Sequence, residues 1–420
     1  MKDKNLRPKT IKYKCSFNNV VLEVMKHRNW EESHALEESE FDIYWCDPNL
    51  MKEIFDQMYF EDHVRINHFR NHYELTRKNL LVKNLKRYSK YLERYDSKLE
   101  SLKCNFFPTS FELPLEYHMF VECFKESKNS GQIWIMKPAA KSQGKGIFLF
   151  RRLKDIIDWK KSESYNSPCT HKQDNTELVP IETYVVQRYI QNPYLIGGKK
   201  FDLRIYVLVQ SYNPLKVWLY RSGFARFSNT RYGNSEIDNK YVHLTNVAVQ
   251  KLAPNYDPNC LKLSLQKLRD YLTAKHGYKI VNALYKNIDT IIIKSLQSVR
   301  KIIINDKHCF ELYGYDILID KDLKPWLIEV NASPSLTSSS QEDYTLKFGL
   351  LADVFNVVDM EGRFKSNELR IGGFDLIWND GQVMLENTCS ANYTSRIANS
   401  FIGCENDREE QIKQILSKCK

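Results

Sequence analysis

The stretch that most constrains this chain is Tyr313-Gly314-Tyr315-Asp316-Ile317-Leu318-Ile319-Asp320-Lys321-Asp322-Leu323-Lys324-Pro325-Trp326-Leu327-Ile328-Glu329-Val330-Asn331. Two strand-like runs flank a polar turn, the pattern of a β-hairpin. A connecting loop of even length, centred between Asp322 and Leu323, sets Asp316 opposite Glu329. Asn331, two residues on, shares their face. Like charges opposed across strands are destabilising unless a cation lies between them. Both carboxylates sit between large apolar neighbours (Tyr315 and Ile317, Ile328 and Val330), which predicts a buried pair rather than two solvated surface groups. Two carboxylates and an amide oxygen at one strand end suit Mg²⁺, which leaves its other positions to water and phosphate. Asp316, Glu329 and Asn331 are the candidate metal ligands.

The remaining sequence has to build a fold around that hairpin. Its 420 residues carry 62 Lys and Arg against 52 Asp and Glu, a formal charge of +10, with 42% hydrophobic and 13% aromatic residues. That is enough for two to three compact units of about 100–200 residues each, and it excludes wholesale disorder. No apolar run approaches the ~18 residues of a membrane span, and Met1-Lys2-Asp3-Lys4 opens without an apolar stretch. Neither a membrane span nor secretion by a signal peptide is expected. The ten cysteines never fall as C-x-x-C and read as thiols in a reducing compartment. The basic balance points to an acidic partner: nucleic acid, an anionic surface or an acidic protein. Nucleic acid is not expected, because an RNP-like aromatic motif, a zinc framework and a helix-turn-helix are all missing.

Residues 1–60 alternate aromatic and polar positions and predict a small α/β unit. From about 76 to 104, Leu81, Leu85, Tyr88, Leu92, Tyr95, Leu99 and Leu102 recur at three- and four-residue steps, one face of a helix. Arg77, Lys78, Lys83, Lys86, Arg87, Lys90, Arg94, Lys98 and Lys103 take its other positions, either as an ordinary solvated face or as a docking face for an acidic partner. Pro108 and Pro114 mark a boundary near residue 105. Strands are predicted over 133–136, 147–150, 184–188 and 201–209, and a polar loop over 161–176. Helical periodicity over 261–304 is interrupted at Gly277, and a polar tail is predicted from about residue 341. The order of strands and helices gives an α/β or α+β class.

Four further motifs carry chemistry. Lys137-Pro138-Ala139-Ala140-Lys141-Ser142-Gln143-Gly144-Lys145-Gly146 follows a strand, and its glycines and lysines suit phosphate, although a hairpin turn with solvated lysines reads similarly. It is neither a P-loop nor a dinucleotide fingerprint. Lys200-Phe201-Asp202-Leu203-Arg204 puts Asp202 and Arg204 on one strand face, which is a charged site if buried and an ordinary edge strand if exposed. Arg226 stands among aromatics in Phe224-Ala225-Arg226-Phe227. His243-Leu244-Thr245-Asn246 brings short polar groups, and a lone histidine of this kind is commonly structural.

In this order, Trp134-Ile135-Met136-Lys137-Pro138, Gly144-Lys145-Gly146-Ile147, Lys200-Phe201-Asp202-Leu203-Arg204, His243-Leu244-Thr245-Asn246 and Glu329-Val330-Asn331-Ala332-Ser333-Pro334-Ser335-Leu336 closely resemble the tubulin tyrosine ligase-like family, over roughly residues 20–370. Asn67-His68-Phe69-Arg70 and Glu74-Leu75-Thr76-Arg77-Lys78 resemble its short polyglutamylases. The resemblance implies an ATP-grasp fold with a small N-terminal α/β domain. The units would be 1–105 with the basic helix, a central lobe 106–190, a C-terminal lobe 191–345 with the Mg²⁺ site, and an extension 346–420. It implies an ATP-dependent ligase that phosphorylates an acceptor carboxylate and lets the amine of a free amino acid attack it, giving an isopeptide bond, ADP and phosphate.

Carried over by motif, the resemblance puts ATP against Lys137, Gln143, Gly144, Gln187, Arg188, Tyr189, Ile190, Lys200, Phe201, Asp202, Thr245 and Asn246. Arg226 and Lys262 would grip an incoming glutamate, whose two carboxylates match two cations. Gln143 and His243 would adjoin the acceptor, and Lys137, Arg204 and Glu329 are implied as catalytic. Mg²⁺ would sit on Asp316, Glu329 and Asn331. Implied partners are ATP, free L-glutamate, the acidic C-terminal tails of tubulin in microtubules, and accessory subunits. The implied setting is cytoplasm and cytoskeleton, at the axoneme or basal body of a cilium or flagellum. The alternatives are the same chemistry with glycine or tyrosine, or a non-catalytic ciliary scaffold of the same fold. Because the chain ends about 90 residues after the Asn331 motif, without the cationic region of the family's long members, weak activity alone is expected.

Overall fold

In a computed structural model, the structure describes residues 10–33, 40–127, 131–141, 143–156, 182–254, 256, 261–338, 340–383 and 401–418. Short aromatic and β-branched runs near the N-terminus form a parallel sheet of β1 (Lys12–Cys15), β2 (Glu31–Glu32), β3 (Ile43–Trp45) and β4 (Arg65–Ile66), in the order 2-1-3-4. α1 (Val20–His27) lies between β1 and β2 and α2 (Met51–Gln57) between β3 and β4, as the α/β reading of residues 1–60 requires. Asn19 starts α1 by accepting a hydrogen bond from the Val21 N–H.

After the short α3 (Tyr73–Thr76), the helix expected over 76–104 is two: α4 (Lys78–Tyr95) and α5 (Lys98–Leu102). Leu81, Leu85 and Leu92 are buried as their spacing demands. The chain breaks at Asp96, and the Ser97 hydroxyl caps α5 afresh by accepting from the Glu100 N–H. The break shifts the stripe's phase, so Leu99 and Leu102 are exposed instead of buried, and Tyr95, in the last turn before the break, is exposed as well.

β5 (Ser110–Leu113), α6 (Tyr117–Ser127), β6 (Trp134–Pro138), β7 (Phe148–Phe150) and β8 (Tyr184–Arg188) build an antiparallel sheet of order 5-8-6-7. Phe111, Phe120, Phe124, Trp134 and Phe150 make its core. The polar loop expected at 161–176 lies outside the described residues.

A nine-stranded sheet dominates the rest. Its strands are β9 (Leu195–Ile196), β10 (Lys199–Tyr212), β11 (Leu215–Tyr220), β12 (Phe224–Phe227), β13 (Lys262–Ser264), β14 (Glu311–Ile319), β15 (Pro325–Asn331), β16 (Arg370–Ile371) and β17 (Phe374–Asn379). β10 lies at the centre, paired with β12 and then β11 along one edge and with β14 along the other. The short helices α7 (Lys240–His243) and α8 (Val247–Gln250) precede α9 (Leu265–His276) and α10 (Tyr278–Val299), which meet at Gly277. On one face of β10, Phe201, Leu203, Ile205, Val207 and Val209 join the core under α9 and α10. On the other, Tyr206 and Leu208 join a second core with α1 and α11 (Gln341–Val358). The edge-strand alternative for residues 201–209 therefore does not hold.

The polar tail expected from residue 341 is also overturned. α11 buries Leu350, Leu351, Val354 and Phe355, and the β16–β17 hairpin extends the main sheet through β11. The apolar residues of α11 are spaced among acids and amides, so a reading by composition misses their periodicity. Residues 401–408 run back over the core. Arg269 donates to the Ile402 carbonyl at 2.6 Å, and the Arg408 guanidinium holds both oxygens of buried Asp353 at 2.8 and 2.9 Å before α12 (Arg408–Lys418) begins. Among the described residues, no helix is long and apolar enough to cross a membrane, and the cysteines are free thiols.

Candidate functional site

The hairpin of β14 and β15 brings Asp316 opposite Glu329 and Gly314 opposite Asn331. The count leading there differs from the even loop expected. Ile319 faces Pro325 and Ile317 faces Leu327, so the turn is centred on Asp322, with Leu323 in the left-handed region at φ 60°. A bulge at Ile328 then adds one residue to β15 and restores the Asp316–Glu329 pairing. Leu327 and Val330, three apart, both reach the core, which leaves Glu329 and Asn331 for the opposite face. The Asp320 carboxylate accepts from the N–H groups of Asp322 and Lys324 and from the Trp326 indole, which explains why this acid stays at the tip.

β10 sets the second row. Lys200, Asp202 and Arg204 alternate along its cleft face and are buried. Arg204 donates from Nε to Asp316 Oδ1 at 2.6 Å, and the Arg226 guanidinium of β12 spans Asp202 (two contacts of 2.7 Å) and Asp316 (2.6 Å). Thr245 Oγ1 donates to Asp202 at 2.8 Å. Burial alone would raise the Asp316 pKa, but Arg204 and Arg226 outweigh it and hold this carboxyl well below the usual range. Glu329 is pushed up, by burial first and then by the Asp316 charge facing it. One carboxylate is thus strongly ionised beside a second that is short of positive charge.

A cleft of about 770 Å³ opens between the sheet of β5–β8 and the nine-stranded sheet, lined by Lys137, Gln143, Gly144, Gln187, Arg188, Tyr189, Ile190, Lys200, Asp202, His243, Thr245, Asn246, Asp316 and Glu329. Lys137 Nζ donates to Gln187 Oε1 at 2.8 Å, and Lys200 Nζ donates to the Tyr189 hydroxyl (3.0 Å) and the His243 carbonyl (2.8 Å). Burial pushes the Lys137 ammonium down to about 8 and that of Lys200 to about 7. Gln143 and Gly144 both have positive φ, and a Cβ on Gly144 would lie 2.8 Å from Val249 Cγ2, so the loop can lie against α8 only with glycine there. His243 Nε2 bonds the Glu236 carbonyl and Nδ1 the Tyr189 hydroxyl, so both ring nitrogens are engaged inside the cleft wall.

A second, polar chamber of about 1260 Å³ contains Gln143, Arg204, Arg226, Asn246, Lys262, Glu329 and Asn331. Lys262 Nζ stands 3.0 Å from Asp343 and over the Phe224 ring. Gln143, Asn246 and Glu329 belong to both chambers, so they form the partition between them. Phe201 lies in neither; its ring faces the core beside Phe227. Among the described residues there is no cluster of three or more His, Cys, Asp or Glu arranged for a metal. The hairpin offers two carboxylates and an amide. Asn331 donates its Nδ2 to the Gly314 carbonyl at 3.3 Å, which leaves Oδ1 as the third oxygen donor.

Three site residues escape the sequence reading. Lys78, the first residue of α4, donates to the Lys141 carbonyl at 2.9 Å and stands 3.9 Å from Glu329. Its signal was lost among the other cations of that helix. Asp343 and Lys347 of α11 pair at 3.0 Å in the wall of the polar chamber. Four residues apart on a helix, they read as an ordinary surface pair.

The sequence profile described as the tubulin-tyrosine ligase family matches residues 56–366, from the end of α2 through the Asn331 motif and past the end of α11. The chain belongs to the tubulin-tyrosine ligase family. Among curated members it is 57% identical to a protein of Mus musculus named "Probable tubulin polyglutamylase TTLL9", over 97% of this chain and 92% of the mouse protein. It is 48% identical to the Caenorhabditis elegans "Probable tubulin polyglutamylase ttll-9", over 89% and 86%. It is 45% identical to the Tetrahymena thermophila "Probable alpha-tubulin polyglutamylase Ttll1", over 89% and 94%. In this member of the tubulin-tyrosine ligase family, both chambers and their partition are built almost wholly from the matched region.

Proposed function

We propose that this chain is an ATP- and Mg²⁺-dependent ligase of ATP-grasp fold that joins free glutamate to side-chain carboxylates of glutamates in the acidic tails of tubulin, through an acyl phosphate. The meeting of the two chambers at Glu329 carries this reading: one has lysines and a glycine loop suited to phosphates, the other has cations suited to carboxylates. The names of the mouse, nematode and ciliate relatives support tubulin as the acceptor and glutamate as the donor.

Lys137 and Lys200 would bind the phosphates, and the backbone of 143–146 would approach them closely. Asp316, Glu329 and Asn331 fit Mg²⁺ by their oxygen donors and by the raised pKa of Glu329, which a cation would relieve. A Mg²⁺ ion held by these residues would supply charge neutralisation to the phosphates. Arg204 orients Asp316 through their ion pair. Arg226 and Lys262 would take the two carboxylates of glutamate; glycine or tyrosine would leave one of these cations unmatched, which favours glutamate. The setting we propose is the cytoplasm and cytoskeleton at a cilium or flagellum, with accessory subunits assisting.

The test is incubation of the full chain with ATP, Mg²⁺, microtubules and radiolabelled glutamate, glycine or tyrosine. Glutamate should be incorporated selectively and only with ATP, and Glu329→Gln should remove the activity. Incorporation of glycine without glutamate would refute the donor assignment.

A further inference from the structure

α4 carries six cations against one acid, Glu93. Lys86 is committed, bonded to Glu116 at 2.9 Å and lying over the Phe111 ring. Lys78 is committed to the site. The other four, Lys83, Arg87, Lys90 and Arg94, follow one another at steps of four, three and four residues, so they share one helix face. That face is opposite the buried Leu81, Leu85 and Leu92, and all four are exposed. Among the described residues no ion pair holds any of them; Arg87 makes only a 3.4 Å contact to the Ser298 carbonyl.

Two features set this row apart from a solvated helix surface. Tyr91 and Tyr95, 45% and 73% exposed, border it with rings 5.1 Å apart, and Lys301 lies 5.3 Å above the Tyr91 ring. Tyrosine and arginine together are the composition of binding surfaces. The second is direction. α4 starts at Lys78, 3.9 Å from Glu329 in the partition between the chambers, and runs outward from there. From Lys78 to Arg94 is about 24 Å at 1.5 Å per residue. About seven residues of extended chain cover that distance at ~3.3 Å each.

We propose that the row Lys83, Arg87, Lys90 and Arg94 is a track for the acidic polypeptide flanking the acceptor glutamate. This rests on the ligase reading for the acceptor's place, while the charge of the occupant follows from the row itself. An acceptor held at the partition would lay its neighbours along α4, one or two carboxylates to each cation. The track makes affinity depend on the length of the acidic flank, up to about seven residues. A surface that merely kept the protein soluble would not produce that dependence.

The experiment uses the full chain and fluorescent peptides with one acceptor glutamate and Glu-rich flanks of two, five or eight residues, read by anisotropy without turnover. Exposed ion pairs contribute roughly two- to threefold each, so the longest flank should bind about ten- to fiftyfold more tightly than the shortest. Joint Lys83→Glu, Arg87→Glu, Lys90→Glu and Arg94→Glu substitution should abolish that gain and leave affinity for an ATP analogue within about twofold. Lys83→Arg with Lys90→Arg should keep the gain. The absence of a flank-length gain in the natural chain, or its survival in the charge-reversed one, would overturn the track. Failure of the ligase reading shows separately, as no ATP-dependent glutamate incorporation by the natural chain.

Discussion

Nucleotide binding to this chain should take up protons at mildly alkaline pH. Lys137 and Lys200 line the proposed nucleotide cleft with pKa values pushed down to about 8 and about 7 by burial. Burial disfavours an ammonium, so each lysine is neutral above its lowered value. At pH 8, about half of Lys137 and about nine-tenths of Lys200 therefore lack the proton. Phosphate oxygens beside them return both to the charged form, an uptake of about 1.4 protons per nucleotide at pH 8 and about 0.1 at pH 6. Titration calorimetry with a non-hydrolysable ATP analogue and Mg²⁺, in buffers of different ionisation enthalpy, reads this number as a slope. Lys200→Met should lower the slope at pH 8 to about one half, the share of Lys137 alone. The same shifts fix a sign for stability. The unfolded chain binds more protons at these lysines between pH 7 and 10.5, so without nucleotide their contribution rises with pH across that window. A slope near zero at pH 8 in the natural chain, or one unchanged by Lys200→Met, would refute the placing of two neutralised lysines against the phosphates.

Glu329→Gln should lower turnover at least ~100-fold while raising the melting temperature of the metal-free protein by about 1–2 °C, since the charge facing Asp316 is removed; calorimetry and the glutamate assay check the two halves. Gly144→Ala puts a Cβ 2.8 Å from Val249 at a φ of +77° and should weaken nucleotide binding about tenfold, with an unchanged circular dichroism spectrum. Arg226→Lys keeps the charge but cannot span Asp202 and Asp316 together, so KM for glutamate should rise about tenfold and stability fall by about 2 kcal/mol in denaturant titrations. Arg408→Ala leaves Asp353 buried without its bidentate partner and should cost about 3 kcal/mol in the same titrations, with nucleotide affinity unaltered.

Much of the site was legible because period-2 alternation puts chemistry on one face of a strand. Lys200, Asp202 and Arg204 on β10 followed from that rule, as did the sharing of one face by Glu329 and Asn331. What stayed hidden required knowledge of which elements meet. Lys78 enters the cleft from a helix more than 50 residues before the glycine loop, and Asp343 reaches Lys262 from a segment that composition made look like a tail. Leu99 and Leu102 were misplaced for a local reason: the break at Asp96 restarts the helix in another phase. Phe201 comes to the cleft only with the Lys200–Arg204 motif of the resemblance, and because neighbours along a strand face opposite ways its ring joins the core.

The bulge at Ile328 bears on how this hairpin can change over evolutionary time. Extra residues at the tip, between Asp320 and Lys324, lengthen the turn and leave Asp316 and Glu329 opposed. Loss of Ile328 also keeps them opposed, because the bulge sets two residues against Asp316, but it removes an apolar piece of the proposed nucleotide cleft's wall. A residue inserted between Glu329 and Asn331 turns those two oxygen donors to opposite faces of the sheet. Length can therefore vary at the tip without disturbing the donors, whereas the three residues from Glu329 to Asn331 are a segment whose spacing cannot drift.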